Sequence, residues 1–154
     1  MAFRIHVVSN VPLTSVEDPH EVALLFLAQI GYLPVRVGAG DAEVKSGIPY
    51  RLLVDHLLRR PERGWTVEEL AGRLKTGKVT VYRHINKLKS LDLLEEVEVA
   101  TPGGPRKGYR VRYGNLAKAW NFVEAHVEVA MENYRKTVEH LQGLIAGGSL
   151  HGKG

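Results

Sequence analysis

The stretch TVEELAGRLKTGKVTVYRHINKLKSLDLL (residues 66–94) decides the fold of this chain. Thr66 followed three residues later by Glu69 is a capping box, so a helix starts there. Val67, Leu70, Ala71 and Leu74 recur at helical spacing and face inward. Thr76, Gly77 and Lys78 then supply a tight turn. A second helix is expected from Lys78 to about Leu91, with Val81, Ile85 and Leu88 toward the core. That phase turns Lys78, Val79, Tyr82, Arg83, Asn86, Lys87 and Lys89 outward, a largely cationic face. EEVEVATPGGPRKGYRVRY (residues 95–113) follows at once. Its two short β-rich halves are joined by PGGP, whose composition is that of a turn. Arg106 and Lys107 fall at the hairpin tip, and Arg110 and Arg112 on the returning strand.

On the N-terminal side, residues 48–60 read as a helix with Ile48, Leu52, Leu53, Leu57 and Leu58 on a broad apolar stripe, broken by Pro61 and Gly64. RVGAGDAEVKSG (residues 36–47) reads as a loop. Before it, Asp18 and Pro19 are cap and first-turn residues of a helix through HEVALLFLAQIGY, ended near Gly31 and Pro34. Phe3, Ile5 and Val7 alternate as in a short strand. On the C-terminal side, Asn115 caps a long helix over residues 116–145. Leu116, Trp120, Val123, Val127, Ala130, Tyr134, Leu141 and Leu144 form a heptad-like seam, interrupted only by Thr137. A second stripe of Phe122, Met131, Val138 and Ile145 widens it. The division is an arm with one helix (1–47), a central unit (48–113), the long helix (114–147) and a frayed tail (148–154).

Charge is distributed unevenly along the 154 residues. Residues 48–113 hold 14 Lys/Arg against 8 Asp/Glu, a net +6, whereas residues 1–47 are −2 and residues 114–154 neutral. A basic footprint confined to one unit points to a polyanionic partner. The absence of cysteine removes disulfides, thiolate metal sites and cysteine nucleophiles, and it suits a cytoplasmic setting. No apolar run is long enough to cross a bilayer, so no membrane partner is expected. Arg4 is followed by no long apolar region, so no signal peptide is expected either.

Helix, turn, helix and basic wing are parts suited to holding duplex DNA. A major groove admits one α-helix, and residues in its N-terminal half reach base edges. Arg83 fits a bidentate contact to guanine and Asn86 one to adenine, while Lys78, Thr80 and Lys87 suit phosphates. Tyr82 suits a thymine methyl or a phosphate, with Val79 beside it on the same face. Arg106 and Lys107 suit the flanking backbone or the minor groove. The alternative is a solvated charged face. Glu95, Glu96 and Glu98 on the outgoing strand can pair with the arginines opposite, so Arg106 and Lys107 carry more of this reading than Arg110 and Arg112.

LKTGKVTVYRHINKLKSLDLL resembles the recognition-helix signature of ArsR/MarR-type winged-helix transcriptional regulators, particularly archaeal ones. Leu74, Thr80, Val81, His84, Ile85, Leu88, Leu93 and Leu94 fall on that pattern. Gly77 stands where the family has a serine cap, and Asp92 where it has glycine. The resemblance spans about residues 48–113. It implies a mainly α fold with a small β-wing (α+β), a sequence-specific double-stranded-DNA partner, and homodimerisation through a helix in the position of residues 116–145. Two half-sites about 34 Å apart would multiply weak single-domain affinities.

Other chemistries find less in the residues. Glu124-Ala125-His126 is similar to the start of a dimer-interface zinc site in some ArsR-type sensors, but the position eleven residues on is Thr137. No metal or cofactor is therefore expected. None of the common catalytic motifs is present, so no enzyme is expected. A small-molecule effector between the first and last helices is left open, with Trp120, Phe122 and Phe26 as wall candidates. The rival class is a winged helix used as a protein-interaction module within a transcription or replication assembly.

Overall fold

The computed structural model describes residues 17–32 and 41–148. In chain order the elements are α1 (Pro19–Gln29), α2 (Asp41–Ser46) and α3 (Ile48–Tyr50), which runs directly into a π-helical segment (Arg51–Leu58). Then come α4 (Val67–Leu74), α5 (Lys78–Ser90), β1 (Leu94–Val99), β2 (Arg106–Val111), a 3-10 turn (Arg112–Gly114) and α6 (Leu116–Ala146). The fold is mainly helical with one antiparallel hairpin, an α+β winged helix. The strand expected around Phe3, Ile5 and Val7 and the tail at 149–154 lie outside the described residues.

Local chemistry sets the element ends. Asp18 caps α1 by accepting from the His20 amide, with Pro19 as the first helical residue. The chain leaves α1 through Gly31 at φ 74°, where the Tyr32 amide bonds back to the Leu27 carbonyl. Thr66 caps α4 by accepting from the Glu69 amide at 3.2 Å. The Glu69 side chain turns to Arg63 and Arg73 instead of back to the Thr66 amide, so only the Thr66 half of the capping box forms. The α4–α5 turn passes through Lys75 in the left-handed region, with the Thr76 amide on the Ala71 carbonyl. Asn115 caps α6 by accepting from the Lys118 amide at 3.0 Å.

Two segments differ from the sequence expectation. Residues 41–46 form a short helix where a loop is expected; Ser46 closes its last turn by donating to the Glu43 carbonyl. The helix over residues 48–60 is wound wider than α from Arg51 to Leu58. Its apolar residues repeat at steps of four to five, and the wider turn brings Leu52, Leu53 and Leu57 onto one buried line.

The core gathers α1 (Leu27), the π-segment, α4 (Leu70, Leu74), α5 (Val81, Ile85, Leu88) and the first turns of α6 (Ala119, Val123). Trp65 adds a one-residue third edge to the hairpin, exchanging two 2.8 Å backbone bonds with Tyr109. That approach explains Gly108: a Cβ there would lie 2.4 Å from a Val99 methyl and 2.9 Å from the Trp65 carbonyl.

Asp92, where the resembled family has glycine, adopts φ 57°, the left-handed conformation that favours glycine and that aspartate tolerates. Here the side chain is used. Its carboxylate lies 3.6 Å from Arg112 and 3.4 Å from His126 of α6, and its carbonyl accepts from Arg112 Nε at 3.0 Å. Arg112 in turn sits over the Phe122 ring at 4.3 Å. The turn from α5 into the wing is thereby tied to α6.

Candidate nucleic-acid interface

Burial of Val81, Ile85 and Leu88 fixes the rotation of α5, and the opposite face is left to solvent. Lys78, Val79, Tyr82, Arg83, Asn86 and Lys87 are all exposed, Val79 at 84%, and Thr80 is half-buried. The expected face is therefore displayed as one surface. Its N-terminus is capped only by Gly77, which offers no side-chain acceptor to the first amides.

The cations on this face differ in how firmly they are held. Lys78 lies 3.6 Å from Glu68 in the first turn of α4, and Arg106 at the wing tip lies 3.8 Å from the same carboxylate. Glu68 thus gathers the start of α5 and the wing around one anion. Its own backbone amide, and then Lys78 and Arg106, keep its carboxyl below the usual range. Lys89 and Lys107 converge on Glu96 at 2.9 and 3.4 Å. The hydrogen bond to Glu96 raises the Lys89 ammonium, and together the two lysines lower Glu96. Lys87 donates to the Tyr32 carbonyl at 3.1 Å, which draws it toward the end of α1. Arg83, by contrast, is exposed and has no ion-pair partner among the described residues.

His84 is a packing residue, half-buried and edge-on to Tyr32 with 6.4 Å between ring centroids. Burial, then Arg83 and Lys87, push its imidazole below the usual value. Tyr32, 2% exposed, has a phenol raised by burial.

In the wing, Glu95 pairs with Arg110 opposite it in register at 2.7 Å. Glu96 reaches Lys107 on the diagonal, and Arg112 turns to Asp92 instead of to the strand glutamates. Arg110 and Arg112 are therefore engaged within the unit, while Arg106 and Lys107 stay exposed at the tip. The tip closes through paired Thr101 and Gly104 backbone bonds, with Gly104 at φ 104°. A cleft of about 1020 Å³ separates the wing from the starts of α4 and α5, with Lys78, Glu68 and Arg106 on its wall.

The seam on α6 divides in two. Val123 is fully buried, and Leu116 and Trp120 pack against the chain's own core, Trp120 edge-on to Phe26 at 5.8 Å. These three residues, expected to meet a second copy, face inward because the first turns of α6 close the core. Phe26 and Trp120 pack on each other there. From Glu124 onward no described residue is buried. Val127 and Ala130 are half-buried, and Met131, Tyr134, Val138, Leu141 and Leu144 stand 40–64% exposed.

Glu68 and the cluster around Trp65 escape sequence reading, since both depend on contacts across elements. The acidic first turn of α4 (Glu68, Glu69) was the available signal. No helix among the described residues is long and apolar enough to cross a membrane, and no three potential metal ligands gather among them. No family model and no curated protein matches the chain. Among solved structures it is similar to a possible transcriptional regulator from Methanosarcina mazei Go1, at 16% identity over 69% of this chain and 94% of that one, with a TM-score of 0.43.

Proposed function

We propose that this protein is a cytoplasmic transcriptional regulator that binds double-stranded DNA sequence-specifically as a homodimer. In this reading α5 enters the major groove. Arg83 and Asn86 read base edges; Lys78, Thr80, Tyr82, Lys87 and exposed Val79 meet the groove wall and backbone. Arg106 and Lys107 of the wing reach the flanking backbone or minor groove. The observation that carries the reading is Arg83, exposed at mid-helix without an ion-pair partner among the described residues, on a face whose Lys78, Lys87 and Lys89 are held by Glu68, the Tyr32 carbonyl and Glu96. A guanidinium left bare on a helix of groove-fitting width is available for a bidentate acceptor.

Dimerisation is assigned to the outer part of α6, through Val127, Ala130, Tyr134, Leu141 and Leu144, joined by Met131 and Val138. Exposed apolar side chains at heptad spacing are the pattern of a helix that is covered by another.

The test is duplex-DNA binding across a salt series. Affinity is expected to fall steeply and log-linearly with salt, because each neutralised phosphate releases counterions. Selection of bound genomic fragments would then give the operator and the half-site spacing together. A second reading, a protein-interaction module, is favoured by the exposed Val79 and Tyr82 in the N-terminal half of the same face. Absence of salt-sensitive DNA affinity at low ionic strength would transfer the function to that reading.

A further inference from the structure

A second cationic site, lined by no residue of α5 or of the hairpin strands, lies beside Trp65. The end of the π-segment, the turn after it and the outer face of α4 enclose a cavity of about 390 Å³. Four guanidiniums line it, those of Arg59, Arg60, Arg63 and Arg73, together with His56, Trp65 and one carboxylate, Asp55. With His56 neutral the lining carries a formal +3, and counting Glu69, which pairs with Arg63 and Arg73, it is still +2.

The arginines fall into two kinds. Arg63 and Arg73 are held: Arg63 lies 3.6 Å over the Trp65 ring and donates to Glu69, with which Arg73 also forms an ion pair. Arg59 and Arg60 are exposed and have no ion-pair partner among the described residues. His56 is fixed as well, its Nδ1 donating to the Arg51 carbonyl at 2.8 Å and its ring edge-on to Trp65. Trp65, 3% exposed, backs the cavity wall, its indole N–H sealed in the interior with no hydrogen-bond partner among the described residues. Like-charged guanidiniums crowded around a cavity repel one another and lower the cost of admitting an anion. Forked donors match the oxygens of a phosphate.

We propose that this cavity binds phosphate groups, with Arg59 and Arg60 as the contacting residues and Arg63 held ready by Trp65 and Glu69. Two sources present that chemistry: a free phosphorylated small molecule acting as effector, or the DNA backbone beyond the segment gripped by α5 and the wing. The second source rests on the DNA-binding reading; the first does not.

Calorimetric titration of the full chain with inorganic phosphate and pyrophosphate at constant ionic strength tests the first source. Saturable binding is expected, at least tenfold weaker in Arg59→Gln/Arg60→Gln, whose exposed side chains support none of the buried core. Duplex titration of the same variant tests the second. If the cavity holds backbone phosphates, affinity falls and the salt slope drops by about one for each phosphate no longer neutralised. Pyrophosphate binding with unchanged DNA affinity assigns a free ligand, and the converse assigns the backbone. If the unaltered chain binds no DNA at all, the functional reading fails while the pyrophosphate titration still decides the site. No change in either titration overturns the proposal.

Discussion

The two longest helices of the winged unit and its extension, α5 and α6, expose opposite kinds of surface for the same physical reason. Each buries one stripe in the common core. On α5 the stripe of Val81, Ile85 and Leu88 runs its full length, and what remains outside is polar and cationic. On α6 the core ends at Val123, yet the apolar pattern continues for several more turns in which no described residue is buried. The outer face of α5 is also braced, with Glu68, Glu96 and the Tyr32 carbonyl holding Lys78, Lys89 and Lys87. The outer part of α6 has its own i,i+4 pairs, Glu132 with Lys136 and Arg135 with Glu139. A charged face is at rest in water. A long apolar one is not, and it is the surface on which the proposed dimer rests.

The sharpest way to break this contrast is Tyr134→Glu together with Leu141→Glu. Neither side chain belongs to the core, so the winged unit should stay folded by circular dichroism. The Kd of the dimer should rise at least a hundredfold, about 2.7 kcal/mol in free energy, read by sedimentation. An unaltered chain that sediments as a monomer at micromolar concentration would remove the need for a partner. On the other helix, Arg83→Ala should weaken specific DNA binding by about 1–3 kcal/mol and relax selectivity at one base position. Equal loss on every sequence would make Arg83 a backbone contact instead.

His84 separates the two faces in a different way, because it lies at the border of buried and exposed on α5. Its folded-state pKa is depressed below the usual 6.5, so the unfolded chain takes up the proton first as pH falls. The stabilisation is present above about pH 6.5 and is lost on acidification below it. Urea unfolding at about pH 5 and pH 7 should show the decline, and His84→Gln should flatten it. The smallest effect is expected at Gly77. Its backbone is already extended at φ −80° and nothing lies within 4 Å of an added Cβ, so Gly77→Ser gains a cap without strain. A gain of a few tenths of a kcal/mol in thermal stability is expected. Destabilisation would mean that the hydroxyl competes with the turn.

Much of the winged unit is legible in the sequence because its determinants are local. Thr66, the Val81–Ile85–Leu88 spacing, the PGGP turn and Asn115 each fix a neighbouring backbone conformation. The π-winding after Arg51 is less so, since Ile48, Leu52, Leu53 and Leu57 suit either pitch until their packing is known. The candidate DNA face follows from helical phase, but its bracing does not. Glu68 meets Arg106 from 38 positions away, and no periodicity encodes that. The α6 seam shows the same boundary from another side. Periodicity marks Leu116, Trp120 and Val123 as apolar on the same terms as Tyr134 and Leu141. It says which face seeks cover and is silent on whether the cover is the chain itself.

Asp92 has a consequence for geometry at a distance. A glycine at this left-handed position would serve the turn equally well but would keep only the Arg112 bond to the carbonyl and lose the contact with His126 of α6. The carboxylate bridging Arg112 and His126 adds a side-chain strut at the root of a helix about 46 Å long. A small change of angle at that root becomes a displacement of many ångströms at the far end. In the proposed dimer, joined near that end, the strut would be the ruler that sets how far apart the two α5 helices stand, and so which spacing of half-sites the pair could span.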